Sequence, residues 1–225
     1  MVSPVFSSGR KADTKSATGS ATGPGRPKDL GKRASILEAA KHLFARDGFA
    51  GVSMDQIAAE AGVSKLTVYS HFGDKEALFR AAIQAKCEEM LPPDLFQLEL
   101  KGSLRNQLKA IANAFFALIS SDEAISTHRM MLSPGNTDDT LKRIFWEAGP
   151  ERTHAAFSAF LQARVDNREL DIPDVRRASE QFFTLIKGEL HGRMMCGLRD
   201  KPARGDVASH IDATVDLFLR AYGPR

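Results

Sequence analysis

Between Lys65 and Phe72 stand Lys65, Thr67, Tyr69, Ser70 and His71, all hydrogen-bond donors and none acidic. Such side chains reach phosphate oxygens and base edges; on DNA the first kind of contact positions a protein and the second specifies sequence. Other chemistry finds weaker support. Glu151-Arg152-Thr153-His154 matches E-x-x-H, but a di-iron site needs a second copy and two further carboxylates, and the chain has no second copy. Glu189 and His191 stand two apart and diverge on a helix. H-E-x-x-H, the P-loop and G-x-S-x-G do not occur, so no catalysis, cofactor or metal is expected. Cys87 and Cys196 form no C-x-x-C pair, which fits a reduced, cytosolic compartment.

The donors need a helix to present them, and Ser53 to Lys75 supplies one in a recognisable frame. Ser53 and Gln56 fit a capping box. Ile57, Ala58 and Ala61 share a face, and Gly62 suits the left-handed residue that ends the helix. Val63 is an apolar plug. Ser64 caps a second helix, in which Val68 and Phe72 turn to the core. Two short helices joined by a tight turn make a helix-turn-helix, which lays its second helix in the major groove. The spacing alone also suits a small packed helix pair; the acid-free, donor-rich face is what adds DNA.

Gly62-Val63-Ser64, Thr67-Val68-Tyr69, His71-Phe72 and Lys75 together resemble the DNA-binding signature of the TetR family of transcriptional repressors, G-V-S-x-x-T-[LV]-Y-x-[HY]-F-x-x-K, with every fixed position present. The resemblance extends upstream over the helix at Ser35–Asp47. Thr67 and Lys65 are then expected at bases or phosphates, and Tyr69, His71 and Lys75 at phosphates, with Ser53 and Ser64 at the two helix starts. Leu66 departs from the small residue common in the family. Two roles are open to it: packing on a thymine methyl, or filling the helix–helix seam.

The 225 residues suffice for two modest domains, and 43% hydrophobic with 26% charged residues is ordinary for a soluble globular protein. The net charge of +3 is uneven: residues 1–75 hold 11 Lys/Arg against 7 Asp/Glu, the remainder 20 against 21. The basic excess thus accompanies the helix-turn-helix, as phosphate neutralisation requires. Residues 1–28, rich in Ser, Thr, Ala, Gly and Lys, are expected to be a disordered basic tail. Its Gly25-Arg26-Pro27 suits an A·T-rich minor groove with Arg26, or is simply a solvated linker. No secretory signal and no membrane span are expected, since no apolar run is long enough for either.

Residues 29–75 form the expected DNA-binding domain and 76–225 an effector and dimerisation domain. Helical spacing of apolar residues predicts helices over 30–47, 75–90, 103–120, 122–132 and 137–148. Further helices are expected from Pro150 to Arg168, Pro173 to Leu198 and Asp206 to Tyr222. No alternating run argues for a strand, so the fold class is all-α: a three-helix DNA-binding domain plus a helical bundle. Glu147-Ala148-Gly149-Pro150-Glu151-Arg152, then Glu180-Gln181-Phe182 and Lys187-Gly188, resembles the AefR-like effector domain of TetR-family repressors. The break at Ser133–Asp139 departs from that pattern.

A bundle of this kind suits a small apolar molecule between helices. The candidate lining is Phe115, Phe116, Met130, Met131, Trp146, Phe157, Phe182, Phe183 and Met194, residues that would equally serve as plain core. His128, Glu189 and His191 are candidate polar partners. The resemblance implies a homodimer through 173–198 and 206–222. It also implies an operator of double-stranded DNA and an apolar or amphipathic ligand; on the two-domain reading, ligand entry is expected to swing helix 75–90 and release the repressor. Two alternatives remain open: an architectural DNA-binding protein, or a redox or metal sensor using Cys87, Cys196 or the histidines.

Overall fold

The computed structural model describes residues 29–97, 102–133, 138–198 and 202–224; the basic tail and Arg26 lie outside them. Helix α1 (Leu30–Gly51) starts where Asp29 accepts from the Gly31 and Lys32 amides at 3.0 and 3.3 Å. Gly48, at φ 72° and ψ 168°, interrupts it just after Asp47, as a glycine can without a Cβ clash. Phe49 then folds back onto Phe44 and Phe79, with ring centroids 5.8 and 5.3 Å away. Helices α2 (Met54–Glu60), α3 (Lys65–Phe72) and α4 (Lys75–Met90) follow. Their inner faces, including Ile57, Val68, Leu78 and Phe79, close one core against Ile36, Ala40 and Leu43 of α1.

After a short 3-10 turn at Pro93–Phe96 come α5 (Leu104–Ile119), α6 (Asp122–Leu132), α7 (Asp139–Ala148) and α8 (Pro150–Asp166), then α9 (Val175–Met195) and α10 (Arg204–Tyr222). Among the described residues no strand occurs, and the protein is all-α. A second core joins α5, α8, α9 and α10 around Phe157, whose ring centroid lies 4.7 to 5.8 Å from those of Phe160, Phe182 and Phe183. Arg105 on α5 reaches Asp216 and Asp212 of α10 at 2.8 and 3.3 Å. The two cores are stitched together by α4, and by Met131, Leu141 and Ile144, which leave α6 and α7 to join the first core.

Local chemistry accounts for the shifted boundaries. Pro150 takes the first turn of α8, as its fixed φ allows. That helix stops short of Arg168, whose φ of 62° is left-handed. Pro173 stays outside α9 because Asp174 caps it, accepting from the Arg177 amide at 2.9 Å. Gly188, at φ 48° and ψ −159°, breaks α9. The His210 ring sits against the break, its Nε2 donating to the Ile186 carbonyl at 3.0 Å.

Candidate nucleic-acid interface and ligand cavity

The capping box at α2 is complete: the Ser53 amide donates to Gln56 Oε1 at 2.7 Å, and the Gln56 amide to Ser53 Oγ at 3.2 Å. Gly62 turns the chain at φ 66°. Ser64 Oγ then accepts from the Thr67 amide at 3.1 Å and shares a 2.8 Å bond with Thr67 Oγ1. With Val68 fully buried beneath, α3 turns Ser64, Lys65, Leu66, Tyr69 and Ser70 outward. The helix is held from behind by Phe72, over whose ring the Arg33 guanidinium lies at 5.0 Å.

Three expectations about this surface change. Leu66 is 78% exposed, which removes the seam-filling role and leaves it on the outer face. Lys75 turns inward: its ammonium donates to the Phe49 and Val52 carbonyls at 2.9 and 3.0 Å and lies 4.3 Å from the centre of the Phe49 ring. It closes the open carbonyls after the Gly48 break. His71 is half-buried, with its Nδ1 enclosed among the described residues, so it presents less of its ring than Tyr69 does. Lys65 remains at the surface, 2.8 Å from Asp55 in an exposed pair that solvent screens.

Behind this unit lies a cavity of about 310 Å³. Phe44 and Ala45 of α1 and Phe79, Ala82 and Ile83 of α4 form one wall. Phe115, Leu118 and Ile119 of α5, with segments of α6 to α9, form the other. It is thus bounded by both the helices that brace α2–α3 and those of the effector bundle.

Of the expected lining only Phe115 borders this cavity, together with His128 from the polar candidates. Phe157, Phe182 and Phe183 are fully buried among one another, and Phe116 belongs to the same core. Met194 is buried too and is not on the cavity wall. Met131 packs into the first core, Met130 Sδ accepts from the Phe49 amide at 3.2 Å, and Trp146 stands 57% exposed on α7. Aromatic residues at helical spacing interlock with each other first, and the cavity opens where α1 and α4 meet the bundle.

The polar lining was largely missed. Lys41 is held by Glu38 and Glu89 at 2.7 and 2.8 Å, and Lys86 by Glu123 at 3.6 Å. Lys187 and His154 also line the cavity. The available signal was the helical period: Lys187 follows Phe183 by four residues, hence shares its face. Burial lowers Lys187, and burial with the nearby Lys187 lowers His128 and His154. Glu151 is exposed whereas His154 turns inward to Ser179 Oγ at 3.2 Å, so the E-x-x-H pair does not converge. Among the described residues no three of His, Cys, Asp and Glu are grouped to hold a metal ion. Burial pushes the Cys87 thiol up to about 11, leaving little thiolate at neutral pH. No helix of the described residues is long and apolar enough to cross a membrane.

A capped helix-turn-helix braced on a helical bundle defines a class of DNA-binding regulators. Residues 36–82 match the model for bacterial regulatory proteins of the tetR family, and residues 106–224 that for the C-terminal domain of AefR-like transcriptional repressors. The chain belongs to the TetR family of transcriptional regulators. It is 33% identical over 113 residues to the transcriptional activator FasR of Mycolicibacterium smegmatis, covering 50% of this chain and 51% of FasR. It is 44% identical over 54 residues to the repressor SCO4008 of Streptomyces coelicolor, covering 24% of this chain and 28% of the repressor. The chain thus spans about half the length, or less, of these curated relatives. Among solved structures, a TetR-family regulator from Mesorhizobium loti superposes with a TM-score of 0.74 at 26% identity, covering 88% of this chain and 99% of its own. The flavonoid-responsive regulator FrrA does so with 0.67 at 33% identity, covering 86% and 98%.

Proposed function

We propose that the protein is a homodimeric repressor that leaves its DNA operator when a small, largely apolar ligand enters the cavity between α1–α4 and the effector bundle. The observation that carries this is the cavity's double wall: Phe44, Ala45, Phe79, Ala82 and Ile83 belong to the helices that carry the DNA-reading unit. A ligand pressing on α4 there shifts α3, and its effect on affinity equals its differential binding to the two arrangements, typically about 1–3 kcal/mol. In this reading residues 29–75 read DNA, with Thr67, Tyr69, Lys65 and Leu66 at the groove. Residues 76–225 hold the ligand and pair the subunits.

Pairing runs through α9 and α10, whose outer faces leave Leu185 and Leu217 39% and 47% exposed beside Thr184, Gly188 and Ala213. Two-fold symmetry then sets two copies of α3 at successive major grooves. The relatives include a named activator as well as a repressor, so the sign of control is itself under test.

The experiment is a gel shift with DNA from upstream of the protein's own gene, against excess random duplex at near-physiological salt. A discrete competitor-resistant band is expected, weakened by ligand, and Ala124→Trp, which puts an indole into the cavity, should keep the band and lose the response. Binding that vanishes with competitor and salt would instead describe an architectural protein.

A further inference from the structure

We propose that the cavity takes an amphipathic monoanion, an apolar body carrying one carboxylate, with the carboxylate held by Lys187. This deepens the reading of the cavity as the effector site and rests on it.

Two of the cavity's lysines are answered by carboxylates and the third is not. Three lysines line it. Lys41 has two carboxylates, Glu38 and Glu89, and Lys86 has Glu123. His42, also on the wall, meets Glu60 at 2.8 Å. Lys187 is half-buried on α9 and has no carboxylate within ion-pair distance among the described residues. Glu189, two residues on, is 84% exposed and faces Arg193 at 3.8 Å, while Glu180 pairs with Arg176 at 3.2 Å. A desolvated cation without a counter-charge is costly, and a bound anion offsets that cost.

The groups beside Lys187 leave it the single positive charge at its place on the wall. His128 donates its Nδ1 proton to the Ala124 carbonyl, so its neutral Nε2 is a lone-pair acceptor, and His154 engages Ser179 Oγ through Nδ1. Lys187 acts electrostatically on both rings and on His191, which packs against His128 with ring centroids 6.3 Å apart. Burial, with Lys187 close by, keeps all three imidazoles below the ordinary histidine value, so at neutral pH they add no second positive charge. One cation beside uncharged imidazoles suits a single negative charge better than a phosphate's two. Phe115, Leu118, Ile119, Phe79, Ile83 and Phe145 give the wall an apolar surface that fits the body. A volume of about 310 Å³ is at the small end of the range of about 300–1,000 Å³ for ligand pockets.

The test uses the full-length protein and a neutral fluorescent reporter, N-phenyl-1-naphthylamine, displaced by decanoate, decanol or decyltrimethylammonium. Decanoate is expected to displace it at a concentration at least about ten-fold lower than decanol, with the ammonium weakest. In Lys187→Met that preference should fall to within about two-fold, while the affinities for reporter and decanol stay as they were. Lys187→Arg should retain the preference, and so should Lys86→Met, which removes a lysine already paired. Unchanged helicity and melting by circular dichroism show that each variant is folded. Equal displacement by decanoate and decanol in the parent protein, or a preference that survives Lys187→Met, overturns the proposal. A reporter that binds the parent and Ala124→Trp alike, or neither, would instead overturn the cavity as the ligand site, and this proposal with it.

Discussion

Lys75→Met should destabilise the protein, because the lysine ammonium is a structural cap. It donates to the Phe49 and Val52 carbonyls at 2.9 and 3.0 Å and sits 4.3 Å from the centre of the Phe49 ring. Hydrogen bonds to charged groups contribute roughly 1.5–3 kcal/mol each, but one ammonium shared between two carbonyls at a half-buried site keeps only part of the sum. A cation–π contact of this exposure adds about 0.5–1 kcal/mol. Methionine keeps most of the stem packing, so the expected loss is about 2 kcal/mol. For a chain of this length that corresponds to a fall in Tm of about 4–8 °C. Thermal melts at one fixed protein concentration read it, since dimerisation makes Tm depend on concentration. Operator affinity, measured well below the melt, should weaken only as far as α2–α3 loosens, and its dependence on salt should keep the same slope. An unchanged Tm together with a salt slope lower by about one, the signature of a lost phosphate contact, would refute the capping role.

Other outcomes follow from the same geometry. Tyr69→Phe should weaken binding to all DNA sequences alike, while Thr67→Ala should relax preference at one base pair by about 1–3 kcal/mol, as read by competition with single-substituted operators; uniform weakening by Thr67→Ala would exclude a base contact. Gly188→Ala should cost about 2 kcal/mol or more in melts, since its φ and ψ are nearly closed to other residues and a Cβ would come within 2.7 Å of the His210 ring; a neutral effect would mean that α9 straightens readily. Burial, helped by His128 and Lys187, pushes His191 down to about 4, so the folded state resists its protonation. The unfolded chain takes up that proton from about pH 6.5 downward, so stability is present above pH 6.5 and is lost as the pH falls towards 4, by about 2–3 kcal/mol in all. His191→Leu should flatten that part of the stability–pH curve, and an unaltered curve would assign the acid sensitivity to other groups.

Much of this protein was legible locally. The capping box at Ser53 and Gln56, the turn at Gly62 and the cap at Ser64 involve residues within a few positions of each other, so backbone hydrogen bonding alone dictates them. The buried and outward faces of α3 followed from helical period, as did the all-α class. The family motif lies in the same contiguous stretch. Tertiary structure decided the rest, because it depends on which helix meets which. Lys75 and the Phe49 carbonyl stand 26 residues apart, and nothing between them says that a lysine at the start of α4 will cap the end of α1. The aromatic residues of α5, α8 and α9 read alike as core or pocket wall, and only their assembly shows Phe157, Phe182 and Phe183 filling one another's space. The cavity opens instead where α1 and α4 lean on the bundle, and its Lys187 becomes notable only once Lys41 and Lys86 are seen to have found carboxylates. A sequence states which groups a helix face carries; whether a charge on that face is answered is a property of the face packed against it.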